Sequence, residues 1–192
     1  MKKIILIILI FFSKNIYSQN FNGYVVTSSN DTINCKFFVE TNLFDNTIFK
    51  AVSVRSKVKI LNNKNEKIVF KPKDLASFLI KNTKSGDFKF VSFEQDNYSY
   101  FYHEVIKGKL SYFKLYQEDK YSGGPNSGFH EFVLKDNILL KFGVFDTRKT
   151  LGEQIKDFPE LYQKWMDSNN YYKLYQIKEV IKLYNDYFLN KK

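Results

Sequence analysis

The chain has 192 residues, a formal net charge of +10, and phenylalanine, tryptophan or tyrosine at 18% of its positions. Of its 30 basic residues all but Arg55 and Arg148 are lysines scattered through almost every segment, which argues against nucleic acid as a partner, since such a surface is clustered and richer in arginine. Cys35 is the only cysteine, so no intramolecular disulfide can form, and stability has to come from packing, above all of 20 Phe and 14 Tyr.

Residues 1–18 have the layout of a secretory signal peptide: Lys2 and Lys3 precede nine apolar residues at 4–12, and Ile16-Tyr17-Ser18 ends on a small residue suited to signal peptidase. Lys14 closes the apolar run far short of the roughly twenty residues that a membrane-spanning helix needs. The expected mature chain is residues 19–192, an exported periplasmic or secreted single domain without a transmembrane segment. Losing Lys2, Lys3 and Lys14 lowers its charge from +10 to +7.

The mature chain then reads as short β-type segments divided by turn residues. Segments 21–27 and 32–39 flank Ser28-Ser29-Asn30-Asp31 and form a hairpin, with Asn30 able to take a left-handed conformation. Segments 47–54, 57–61 and 67–70 read as a meander, Pro72 interrupts, and 75–80 resumes as a strand. The longest block comprises 88–94, 98–106 and 109–116. Within 88–94, Phe88 and Phe90 share one face while Val91 and Phe93 take the other, the pattern of a strand covered on both sides. A polar loop at 117–128, holding Gly123, Gly124, Pro125 and Gly128, leads to strands at 129–135 and 138–142.

After Gly143 the period changes. Leu151, Ile155 and Phe158 recur at helical spacing, and Pro159 suits the first turn of a second helix through Leu161, Trp165 and Met166. Leu174, Ile177, Val180, Ile181, Tyr184 and Phe188 mark one face of a last helix. The expected fold class is α+β, a mostly antiparallel sheet of about nine short strands (19–142) followed by two or three C-terminal helices (143–192) packed on it.

Three stretches resemble an uncharacterised group of exported Bacteroidetes-type proteins. They are the hairpin with Gly23-Tyr24 and Asn30-Asp31-Thr32-Ile33, the Pro72-Lys73-Asp74-Leu75 segment followed by Phe78, and a helical tail ending in Tyr184-Asn185. Asn30 and Cys35 stand where glycine is usual in that group, both mild departures, because asparagine tolerates positive φ and cysteine packs as a small hydrophobe. The resemblance implies export and brings no activity, substrate or cofactor with it.

Chemistry has to come from individual side chains. The two histidines precede glutamates, as His103-Glu104 and His130-Glu131. Neighbours on a strand point to opposite faces, so neither pair converges on one metal ion, and neither fits the H-E-x-x-H spacing. No metal and no cofactor is expected. Ser122-Gly123-Gly124 and Ser127-Gly128 near His130 form the most reactive-looking neighbourhood, but they match neither a G-x-S-x-G elbow nor a P-loop. Cys35, inside an alternating apolar strand, is expected to be buried rather than nucleophilic. The remaining candidates are tyrosines. Tyr98, Tyr100 and Tyr102 alternate along one strand, with Tyr112 and Tyr116 on the next. They either fill the space between sheet and helices or present a ligand-binding face of Tyr98, Tyr100, Tyr102 and Tyr112.

Two functions stay open. The preferred one is a non-enzymatic binding or structural domain of the cell envelope, with an envelope protein or glycan as partner. The alternative is a hydrolase acting on extracytoplasmic material, which needs a concave site gathering His130 or His103 with a carboxylate and a hydroxyl.

Overall fold

The computed structural model describes residues 18–42, 45–95, 97–118, 126, 128–167, 169 and 171–191. The expected signal peptide up to residue 17 lies outside the described residues, as do Ser122 and Ser127.

Ten strands form one sheet: β1 (Ser18–Thr27), β2 (Thr32–Glu40), β3 (Val58–Leu61), β4 (Lys67–Phe70), β5 (Leu75–Thr83), β6 (Gly86–Gln95), β7 (Tyr98–Ile106), β8 (Ser111–Tyr116), β9 (Phe129–Lys135) and β10 (Ile138–Lys141). All pairings are antiparallel, in the order β10-β9-β8-β7-β6-β5-β1-β2-β3-β4. Two meanders, β1–β4 and β5–β10, are therefore joined where β1 pairs with β5. The helices are α1 (Thr147–Gln154), α2 (Pro159–Met166) and α3 (Ile177–Leu189). The α+β class holds, dominated by the sheet, with ten strands rather than about nine.

Asparagine makes the turns. Among the described residues, six of the seven non-glycine positions with positive φ are asparagines, at 30, 65, 82, 97, 126 and 137, while Gly86 is the one such glycine. In a chain with only 8 glycines, asparagine is the next residue able to enter the left-handed region cheaply.

The β4–β5 link forces the sheet to curl. Three strands separate β4 from β5, a distance of about 19 Å in a flat sheet. The link at 71–74 reaches about 17 Å even when extended, and most of it is wound into a 3-10 turn at Pro72–Asp74. The curled half encloses an aromatic core in which Phe78 stacks on Phe90 (4.8 Å between centroids) and meets Phe101 edge-on (4.9 Å). Gly23 permits this closeness, since a Cβ there would lie 1.9 Å from Leu79 O and 2.7 Å from the Phe37 ring.

One expected strand is absent. Within 47–54 only Phe49 makes a bridge, to Thr41, and Ala51–Val54 is a 3-10 turn. Phe49, Ala51 and Val54 enter the aromatic core, while the main chain bonds distant loops: Thr47 O accepts from Lys84 N (3.2 Å), and Asn126 Nδ2 donates to Phe49 O (2.9 Å). The segment plugs the curled sheet rather than extending it.

The helices pack where the sheet opens out. Leu110, Tyr112 and Val133 join Leu151, Ile155, Leu161, Trp165, Val180, Ile181 and Tyr184 in a second core. On the opposite face of β7–β9, Tyr102, Phe113, Leu115 and Phe132 make a third. Strand β6 is covered on both sides as its pattern predicts, with Phe88 and Phe90 in the first core and Val91 and Phe93 packed against the third.

Candidate functional site

The sheet splits along β7. Its first half pairs with β6, through Gln95 with Tyr98 and Phe93 with Tyr100, but its ladder to β8 begins only at His103, opposite Lys114. The edge left open is met just after the plug segment, where the Phe101 N–H donates to Arg55 O at 2.8 Å. That bond fixes the Arg55 backbone beside the tyrosines. The Arg55 guanidinium carbon lies 4.4 Å from the Tyr100 ring centre, a cation–π distance. Tyr100 and Tyr98 stand nearly parallel, 12° apart with centroids separated by 6.3 Å, and Tyr98 is 64% exposed.

Arg55 Nε is buried without a hydrogen-bond partner. An unmade bond of this kind costs about 1–3 kcal/mol, so chains generally avoid it. His130 on β9 is half-buried, and its pKa is held below the ordinary value by burial, then by the nearby charges of Lys141 and Arg55. Burial and the two cations thus both favour the uncharged imidazole.

The four expected tyrosines do not share one surface. Tyr98 and Tyr100 do, and Tyr102 follows them on the same face of β7, but it is 1% exposed, edge-on to Phe93 (5.5 Å) and Phe132 (5.1 Å). Tyr112 is fully buried on the other face, among the helices, where its hydroxyl donates to Glu131 Oε1. The cause is the β7–β8 register: Glu104 opposes Phe113, which puts Phe113 on the Tyr102 face, and the irregularity between Glu104 and Ile106 sets Ile106 opposite Tyr112. Of the expected face, Tyr98 and Tyr100 remain together, with Arg55 against Tyr100. The composition held the signal for Arg55, one of two arginines beside 28 lysines.

The other candidates separate as strand alternation demands. His103 points inward, stacked on Phe88 (4.6 Å), with Nδ1 2.9 Å from the Tyr116 hydroxyl; burial, then Lys114 and Lys178, push its pKa down to about 4. Glu104 takes the opposite face and pairs with Lys89 at 2.5 Å. Glu131 is occupied by Tyr112, on the face away from His130. Among the described residues no group of three or more His, Cys, Asp or Glu side chains is placed to hold a metal ion. Cys35 is buried, and burial raises its thiol pKa to about 11, far from a nucleophile's range.

Comparisons with protein-family models, with curated protein sequences and with solved structures return no match to this chain.

Proposed function

We propose that the mature chain is an exported, non-enzymatic binding domain of the cell envelope that holds a glycan on the Tyr98–Tyr100 face. The observation that carries this reading is the exposed, near-parallel pair itself: Tyr98 keeps 64% of its surface open while its neighbour Tyr100 is steadied under Arg55. Phenol rings have only two side-chain torsions, so a sugar can stack on them at small entropic cost. Half-buried Phe93 and Val91 continue the apolar surface inward to the third core, which anchors the platform on the sheet.

The leader-like residues 1–18 support export. Among the described residues no helix is long and apolar enough to cross a membrane. A glycan array probed with the protein purified from an exporting host tests the reading. Wild-type protein is expected to select a subset of glycans and Tyr98→Ala to lose them; selection unchanged in Tyr98→Ala contradicts the proposal.

A further inference from the structure

We infer that Arg55 is the anion receptor of the Tyr98–Tyr100 face, and that the glycan held there is acidic, carrying carboxylates on its sugar rings. This rests on the binding-face reading above and names its ligand class.

The choice of arginine is the first argument. The chain carries 28 lysines and reserves arginine for two positions. At Arg148 the reason is visible: the guanidinium donates through Nη1 to Trp165 O and through Nη2 to Tyr172 O, and lies 4.6 Å from the Trp165 ring. Its planar fork is filled by the chain's own carbonyls. Arg55 has the same planar group against a ring, yet its side chain makes no hydrogen bond or ion pair with any described residue, and its Nε is buried and unpaired. The fork is built and, among the described residues, unfilled. Carboxylates, like phosphates, carry paired oxygens that match it.

Position is the second argument. The Arg55 carbonyl is tied to Phe101 N and its guanidinium to the Tyr100 ring, so the group is oriented before any ligand arrives. Lys141 and Arg55 are both near enough to His130 to disfavour its charged form, and no acid is paired to Arg55 among the described residues.

The ligand's shape is the third. An acidic pyranose joins an apolar C–H face to a carboxylate on the same ring. Those two features match an open phenol face at Tyr98 and a guanidinium one ring further along, at Tyr100. An acidic peptide supplies the charge without the flat face.

Titration calorimetry with hexagalacturonate, neutral cellohexaose and polyglutamate tests this on the mature protein. Hexagalacturonate is expected to bind about tenfold more tightly than cellohexaose and than polyglutamate. Arg55→Lys, which keeps the charge and loses the fork, should erase most of that advantage, whereas Lys57→Gln, which removes a nearby charge, should leave it. The unaltered protein gives a second readout independent of any variant's folding. Its two arginines yield two Nε–H signals in a 1H–15N spectrum, and one of them should shift with galacturonate and not with galactose. Equal affinity for hexagalacturonate and cellohexaose, equal losses in Arg55→Lys and Lys57→Gln, polyglutamate binding as tight as hexagalacturonate, or an unmoved pair of Nε–H signals each overturn the inference. Cellohexaose binding that depends on Tyr98 then leaves the binding-face reading standing, whereas failure of both oligosaccharides to bind overturns that reading too.

Discussion

The carboxamide of Asn185 grips the main chain of Leu110 from both sides: Oδ1 accepts from the Leu110 N–H at 2.9 Å and Nδ2 donates to Leu110 O at 2.9 Å. A side chain on α3 thereby completes the hydrogen bonding of the turn before β8, and both partners are buried. Neighbouring Gly108 has no room for a Cβ, which would lie 2.3 Å from Asn185 Nδ2. Beside it, the Tyr184 hydroxyl donates to both oxygens of Asp157, which also receives Lys135 at 3.0 Å. The Tyr184-Asn185 pair is the bolt between helices and sheet.

Asn185→Ala strands a buried N–H and a buried C=O together. A loss of about 2–3 kcal/mol is expected, read as a lower urea midpoint at unchanged m-value. A midpoint equal to wild type would show that the clamp is dispensable.

Gly23 and Gly86 separate two reasons for glycine. At Gly23 a methyl group collides with the Leu79 carbonyl, whereas at Gly86, with φ of +96°, it meets nothing within 4 Å. Gly23→Ala is expected to cost about 3 kcal/mol or more, because β1 and β5 must move apart, and Gly86→Ala about 1 kcal/mol, from backbone strain alone. Chemical denaturation of the two variants gives the order directly; equal losses contradict it.

Stability should fall on mild acidification because of His103. Its folded-state pKa of about 4 lies below the ordinary 6.5, so between those values the unfolded chain binds a proton that the folded one refuses. Unfolding then takes up protons, and stability declines as pH drops from 6.5 toward 4, by about 2–3 kcal/mol in all. His103→Gln should flatten that slope. A wild-type melting midpoint that is level across the window would refute the assignment.

Much of this architecture was legible beforehand. Strands β4, β7 and β9 run over the expected bounds, and the double-sided pattern of 88–94 located the central strand, because alternation is a local property of the chain. The plug was not legible: Phe49, Ala51 and Val54 are as apolar as a strand, and only their remote partners, Lys84 and Asn126, distinguish a plug from one. Alternation alone also misplaces Tyr112, for a related reason: the register between two strands, here Glu104 opposite Phe113, leaves no mark in either strand's own pattern. Depth was hidden as well. Tyr98 and Tyr102 occupy equivalent positions in the pattern, yet one lies where β7 leaves the core and the other inside it.

That difference in depth yields its own test. Tyr102→Ala empties a packed site and is expected to cost about 3–5 kcal/mol, whereas Tyr98→Ala, at an exposed position, should change stability by less than about 0.5 kcal/mol. Thermal melts of the two variants decide it, and a large loss in Tyr98→Ala would make that ring structural rather than functional.

The most direct measurement is a calorimetric titration of the purified mature protein and its Tyr98→Ala variant with a glycan selected on the array. The account predicts a fall in affinity of about tenfold or more at an unchanged melting temperature, as expected for a lost stacking ring. Equal affinities for the two proteins would contradict it and remove the binding face from β7.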